Sequence, residues 1–262
     1  MRKNKLMLAL SCLALGAQGS LAFGASSDCK ALPSHAQLKA ALIAAVATET
    51  SGLDLQMWAT LVNRDGVVCA VAFSGADRQA QWPGSRVISA QKANTGNSFS
   101  LASPLTSTLF PNGLALSTAN LYSAVQPGGS LYGLQHSNPV DTEVAYKGNP
   151  ANYGQPNDPM VGERIGGVNV FGGGFPLYSA PGTVVGGLGV SGDTSCADHM
   201  IGWRVRHALS LDHLAGVGGV ADAAHPDNII YDIVGGVSPS GFGHPKCLNT
   251  DLAVGALPPV VP

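Results

Sequence analysis

Two apolar runs, Gln56-Met-Trp-Ala-Thr-Leu-Val62 and Val67-Val-Cys-Ala-Val-Ala-Phe73, flank Asn63-Arg-Asp-Gly66 and constrain the fold more than any other stretch of the chain. Asp-Gly supplies the positive φ that a tight reversal needs, and the β-branched and aromatic side chains around it favour extended backbone, so the segment reads as a β-hairpin. An isolated hairpin is marginal in water and needs further strands or helices to cover it. The neighbouring sequence offers both. Upstream, Pro33-Ser34-His35 starts a helix on which Leu38, Ala41, Leu42, Ala45 and Val46 recur at helical spacing. Downstream, Arg86 to Ser100 contains no proline and sets Val87, Ala90 and Asn94 on one side of a second helix.

From Ser103 to about Gly166 periodicity fades and Pro, Gly, Asn and Tyr become frequent; Leu114 to Val125 is the one helix expected there. Loops of this length in a compact domain are uncommon and often functional. Gly166–Phe171, Phe175–Tyr178 and Val184–Val190 read as strands joined by glycine-rich turns, Asp198–Leu214 as a further helix, and Ile229–Val234 as a last strand. The order helix, two strands, helix, insertion, strands, helix defines a single α+β domain, a sheet with packed helices. There is no internal repeat and no interdomain linker.

The N-terminus carries Arg2, Lys3 and Lys5, an apolar run from Leu6 to Gly16 and small residues through Ala22 and Ala25, the layout of a secretory signal over residues 1–25. The run is shorter than the roughly 20 residues that span a bilayer, so no stable membrane anchor is expected and the mature chain is placed in a secreted or periplasmic compartment. Four cysteines remain after such processing: Cys29, Cys69, Cys196 and Cys247. An even number in an oxidising compartment implies disulfides, and each terminal cysteine is expected to be tied to an inner element, which two of the three possible pairings satisfy. With 14 basic and 16 acidic side chains there is no electrostatic footprint for nucleic acid.

Motifs exclude several chemistries. Gly187-x-Gly-x-x-Gly192 fits a dinucleotide fingerprint formally, but Pro181-Gly182 blocks a long preceding strand and no βαβ unit surrounds it. Ser191 and Ser195 lie close to Asp193, Asp198 and His199, yet no Gly-x-Ser-x-Gly elbow exists. No His-Glu-x-x-His pair is present. Of the seven histidines, His136 in the Gly- and Tyr-rich insertion ranks first for ligand duty, His199 is a helix-start histidine beside a carboxylate, and His225 and His244, each before proline, are expected in turns.

Several segments together resemble the GlcG/HbpS-like haem-binding family, once called haem-degrading: the first helix, Val62-Asn-Arg-Asp-Gly66, Ser74-Gly-Ala-Asp77, Lys92-Ala-Asn-Thr95, Gly166-Gly-Val-Asn169, and Gly186 to Asp193 with the helix after it. The resemblance implies a profilin-like α+β domain with a mainly antiparallel sheet over residues 26–257, carrying an insertion at about 103–165 and followed by a tail at 258–262. It also implies an extracytoplasmic haem binder that forms homo-oligomers. Haem requires an iron ligand, an apolar slot and cations for its propionates. By resemblance, Lys92 and Thr95 fall on the helix that contacts haem or its iron, and His35 on the helix where some relatives place an axial histidine. Arg86 adds a cation one and a half turns before Lys92, and Thr95 and His136 are the candidate iron ligands. The expected function is haem storage, sensing or handover. The alternative is an enzyme on the same scaffold, one that breaks haem down oxidatively or converts a small organic acid or aromatic compound.

Overall fold

The computed structural model describes residues 27–249 and 254–262; the expected leader lies outside them. Helix α1 (His35–Val46) starts where Ser34 and Gln37 form a capping box, the side chain of each satisfying the other's end of the first turn. The hairpin follows as β1 (Trp58–Asn63) and β2 (Val68–Phe73), then helix α2 (Ser85–Ser98). Single helical turns α3 (Leu134–Ser137) and α4 (Thr142–Ala145) interrupt the long segment between α2 and the next strand, the expected insertion. The chain returns through β3 (Gly174–Ala180), β4 (Thr183–Ser191) and helix α5 (Ser195–Ala208).

The four strands form one antiparallel sheet in the order β2-β1-β4-β3. Alternation divides its side chains. Ala59, Leu61, Ala70, Ala72, Leu188 and Val190 pack with Leu38 and Leu42 of α1 and Ile201 and Val205 of α5. On the other face Trp58, Val62, Val71 and Phe73 meet Val87, Ala90 and Ala93 of α2, and the insertion adds Ala145, Met160 and Ile165 to the same cluster. Helix α2 lies unusually close to β4 because the strand is glycine-rich: a Cβ on Gly187 would overlap the Ala93 carbonyl oxygen, and one on Gly189 that of Ser89.

The expected α+β sheet with packed helices is therefore what the chain forms. Four local expectations differ. Leu114–Val125 holds only 3-10 turns, Thr118–Leu121 and Ser123–Val125, the first capped by Ser117 and Asn120. Residues 166–171 form no strand, since Gly166 and Gly167 take φ of 63° and 80°, and Val168 and Val170 pack instead around Leu121 and Val125. Helix α5 begins at Ser195, capped by the Thr194 hydroxyl, and stops at Ala208 ahead of Ser210 with φ 53°. Residues 229–234 are irregular, and Ile229 packs on Trp203 and Phe175. Two disulfides, Cys29–Cys69 and Cys196–Cys247, tie the terminal cysteines to β2 and α5 as expected. Among the described residues no helix is long and apolar enough to cross a membrane.

Candidate functional site

Helix α2 carries three of the residues singled out in sequence, and all three are buried. Arg86 donates through Nε to Asp158 at 2.8 Å and through Nη1 to the Ala145 carbonyl at 2.7 Å; its Nη2 also pairs with Asp158, and its guanidinium lies 3.6 Å from the centroid of the Tyr153 ring. Lys92 donates to Asp198 at 2.6 Å and to the Val190 carbonyl at 3.1 Å. The Thr95 hydroxyl donates to the Gln91 carbonyl at 2.8 Å and accepts from the Asn169 N–H at 3.0 Å. Breaking a buried ion pair leaves an uncompensated charge, so Arg86 and Lys92 hold Asp158 and Asp198 firmly to α2.

His35 Nε2 is 2.8 Å from the Gly154 carbonyl oxygen, and Gly154 N–H donates to Asp158 at 2.7 Å. His35 and Arg86 thus converge on one turn of the insertion, residues 154–158, which covers Trp58 and Phe73. His136, on α3, is exposed and is the one imidazole among the described residues without a hydrogen-bond partner. The structure therefore brings His35 and Arg86 to a shared loop, sets Lys92 and Thr95 inside the core, and leaves His136 apart.

Beside Arg86 opens a cleft of about 330 Å³, with walls formed by Trp58, Pro83, Val87, Tyr146, Pro150 and Tyr153 and with Arg78 at its edge. The Trp58 indole N–H is held by the Trp82 carbonyl, and the Tyr153 hydroxyl donates to the carbonyls of Tyr146 and Lys147. Apart from the exposed Gln79 amide, two polar groups of the lining remain uncommitted: the Arg78 guanidinium and the hydroxyl of Tyr146, a residue 59% exposed. Sequence reading missed both, because Tyr146 sits in the segment without periodicity and Arg78 in a short polar loop.

On the opposite side of α2, Asp198 occupies the first turn of α5. Its Oδ1 accepts from the N–H groups of Gly192 at 3.0 Å and Asp193 at 2.8 Å, while Oδ2 meets Lys92. Burial pushes Asp198 up to about 6 against the opposing pull of Lys92, and burial also lowers Lys92. His199 pairs with the Asn228 side chain at 3.1 Å and not with a carboxylate or a serine. His244, expected in a turn, is 1% exposed, stacks beside Tyr122 with ring centroids 5.0 Å apart, and is held down to about 4 by burial.

Fold and cleft together define the class: a four-stranded antiparallel α+β domain with helices on both faces and an apolar, arginine-edged cleft. The model of the family described as haem degrading protein HbpS-like matches residues 34–204, and the chain belongs to that family. Similar solved structures include the PduOC complex with haem (21% identical, TM-score 0.44, covering 68% of this chain and 94% of that one), the Klebsiella pneumoniae protein ORFY (24%, 0.43, 67% and 88%) and HbpS (14%, 0.40, 67% and 86%). No curated protein matches the chain.

Proposed function

We propose that this chain is an exported haem-binding protein that holds the porphyrin in the cleft beside Arg86. One observation carries the reading: an apolar, aromatic cleft in an HbpS-like chain contains an unpaired guanidinium and an unpaired phenol and no other free polar side chain of comparable strength. That donor set fits haem. Tyrosine is a known protein ligand of haem iron, and a cation at the edge neutralises a propionate. Tyr146 would take the iron, Arg78 a propionate, and Trp58, Val87 and Tyr153 would face the ring. When bound, haem supplies a redox-active iron; the chain's own residues provide its seat.

Arg86 has a different part in this reading. Bound to Asp158, Ala145 and the face of Tyr153, it fixes the insertion that forms one wall of the cleft. His35 assists through Gly154. Lys92 and Thr95, committed to protein partners, position α2 against β4 and the 169 loop. His136, free and exposed, is the competing iron ligand. The two disulfides support an oxidising compartment, and self-association belongs to the same proposal on family grounds.

The test is haem affinity in three variants, followed by the Soret band. Arg78→Ala is expected to weaken binding about tenfold, the scale of one charge-assisted hydrogen bond, and Tyr146→Phe to shift the band as well as weaken binding. His136→Ala is expected to change neither. Loss of binding in His136→Ala with full binding in Tyr146→Phe would move the site to α3.

A further inference from the structure

A second cavity, of about 300 Å³, lies at the other side of α2 and plays no part in the haem proposal. Trp82, Ile88, Tyr122 and Phe171 line it, together with Asp198. Ser85 and Ser191 also line it. Each is 3% exposed, and neither hydroxyl has a hydrogen-bond partner in the protein. Neither hydroxyl oxygen is sealed from solvent, so water reaches both through the cavity, and a ligand that enters can take that water's place.

The acceptor sites narrow what can arrive. A carboxylate offers about four lone-pair sites. Asp198 uses two on Oδ1 for backbone N–H groups and one on Oδ2 for Lys92, which leaves one open. Asp193, the other carboxylate on the lining, is taken up by the N–H groups of Leu53, Leu55 and Thr194. A ligand must therefore donate a hydrogen bond to Asp198. An anion is repelled by the two carboxylates, and the pull of those carboxylates on a cation is weakened by the Lys92 ammonium, 2.6 Å from Asp198. Aromatic walls select a flat body, and the volume admits a single ring at the small end of ligand cavities.

We propose that this cavity binds a small neutral hydroxyaromatic compound, a single-ring phenol or catechol, through a hydroxyl donated to Asp198 and further hydrogen bonds with Ser85 and Ser191.

Calorimetric titration of the haem-free, disulfide-intact protein with catechol, benzoate and benzylamine tests this. Catechol is expected to bind one to one, and benzoate and benzylamine at least about tenfold more weakly. Asp198→Asn removes the acceptor but strands Lys92 in the core, so the serines carry the decision. Ser85→Ala and Ser191→Ala break no hydrogen bond of the folded protein, and each is expected to weaken catechol binding by about three- to tenfold. Absence of saturable catechol binding, binding unchanged in both serine variants, or equal binding of benzoate or benzylamine would each overturn the proposal. No arm contains haem, so the outcome is independent of the haem reading.

Discussion

At the residue scale the molecule is governed by charges placed where water cannot reach them. Lys92 and Thr95 are legible in sequence as neighbours on one helix face, and Arg86 as a cation near them. Their partners are not legible, because Asp158 lies 72 residues beyond Arg86 and Asp198 lies 106 residues beyond Lys92, separations that only the fold closes. The same burial fixes a pH dependence. His199 is held well below the usual imidazole value and His244 down to about 4, both by burial. An imidazole whose folded value lies below its unfolded one adds stability above about pH 6.5, and that contribution is lost as pH falls through the folded value. Asp198 acts in the opposite sense: pushed up to about 6, it favours the folded chain as pH falls through 6, until the unfolded carboxyl titrates near its ordinary value of 3.8. Two imidazoles oppose one carboxyl, so Tm measured by circular dichroism is expected to fall between pH 7 and pH 4. A Tm that rises over that range would contradict the buried, neutral state of both histidines.

At the element scale the hairpin and α1 follow their sequence patterns closely, because each combines one periodicity with a clear end signal, Asp-Gly for the turn and Ser34 for the cap, while α2 follows its periodicity without a capping side chain. Residues 114–125, 166–171 and 229–234 depart from theirs. Each is a short apolar stretch that packs onto Leu121, Val170 or Trp203 without regular hydrogen bonding, and a short apolar run has no period to report its state. The close fit of α2 on β4 makes a sharp expectation. Gly189→Ala drives a methyl group into the Ser89 carbonyl and is expected to destabilise the protein by about 3 kcal/mol in urea unfolding. Gly84→Ala at the helix start meets nothing within 4 Å at a helical φ of −64° and is expected to stay within about 0.5 kcal/mol of the parent. Equal effects of the two would show that β4 does not lie against α2 as described.

At the scale of the whole molecule, the domain is a sheet sandwiched between α1 with α5 and α2 with the insertion, and is stapled at two points. The cysteine count and the terminal placement of Cys29 and Cys247 were enough to anticipate which ends are tied down. The insertion was visible only as a loss of pattern, and its role as a wall of the Arg86 cleft comes from tertiary contacts alone. The disulfides close loops of 40 and 51 residues, for which chain entropy gives about 4 kcal/mol each. Reduction is therefore expected to lower Tm by well over 10 °C, read by calorimetry with and without a dithiol; an unchanged Tm would mean the cross-links contribute nothing to the fold. The central claim concerns the cleft. Its most direct measurement is a titration of the protein with ferric haem, followed by absorbance and by resonance Raman of the complex. The expected result is a saturable one-to-one Soret band with iron–tyrosinate modes that vanish in Tyr146→Phe. No saturable band, or histidine ligation abolished by His136→Ala, would contradict the assignment of haem to this cleft.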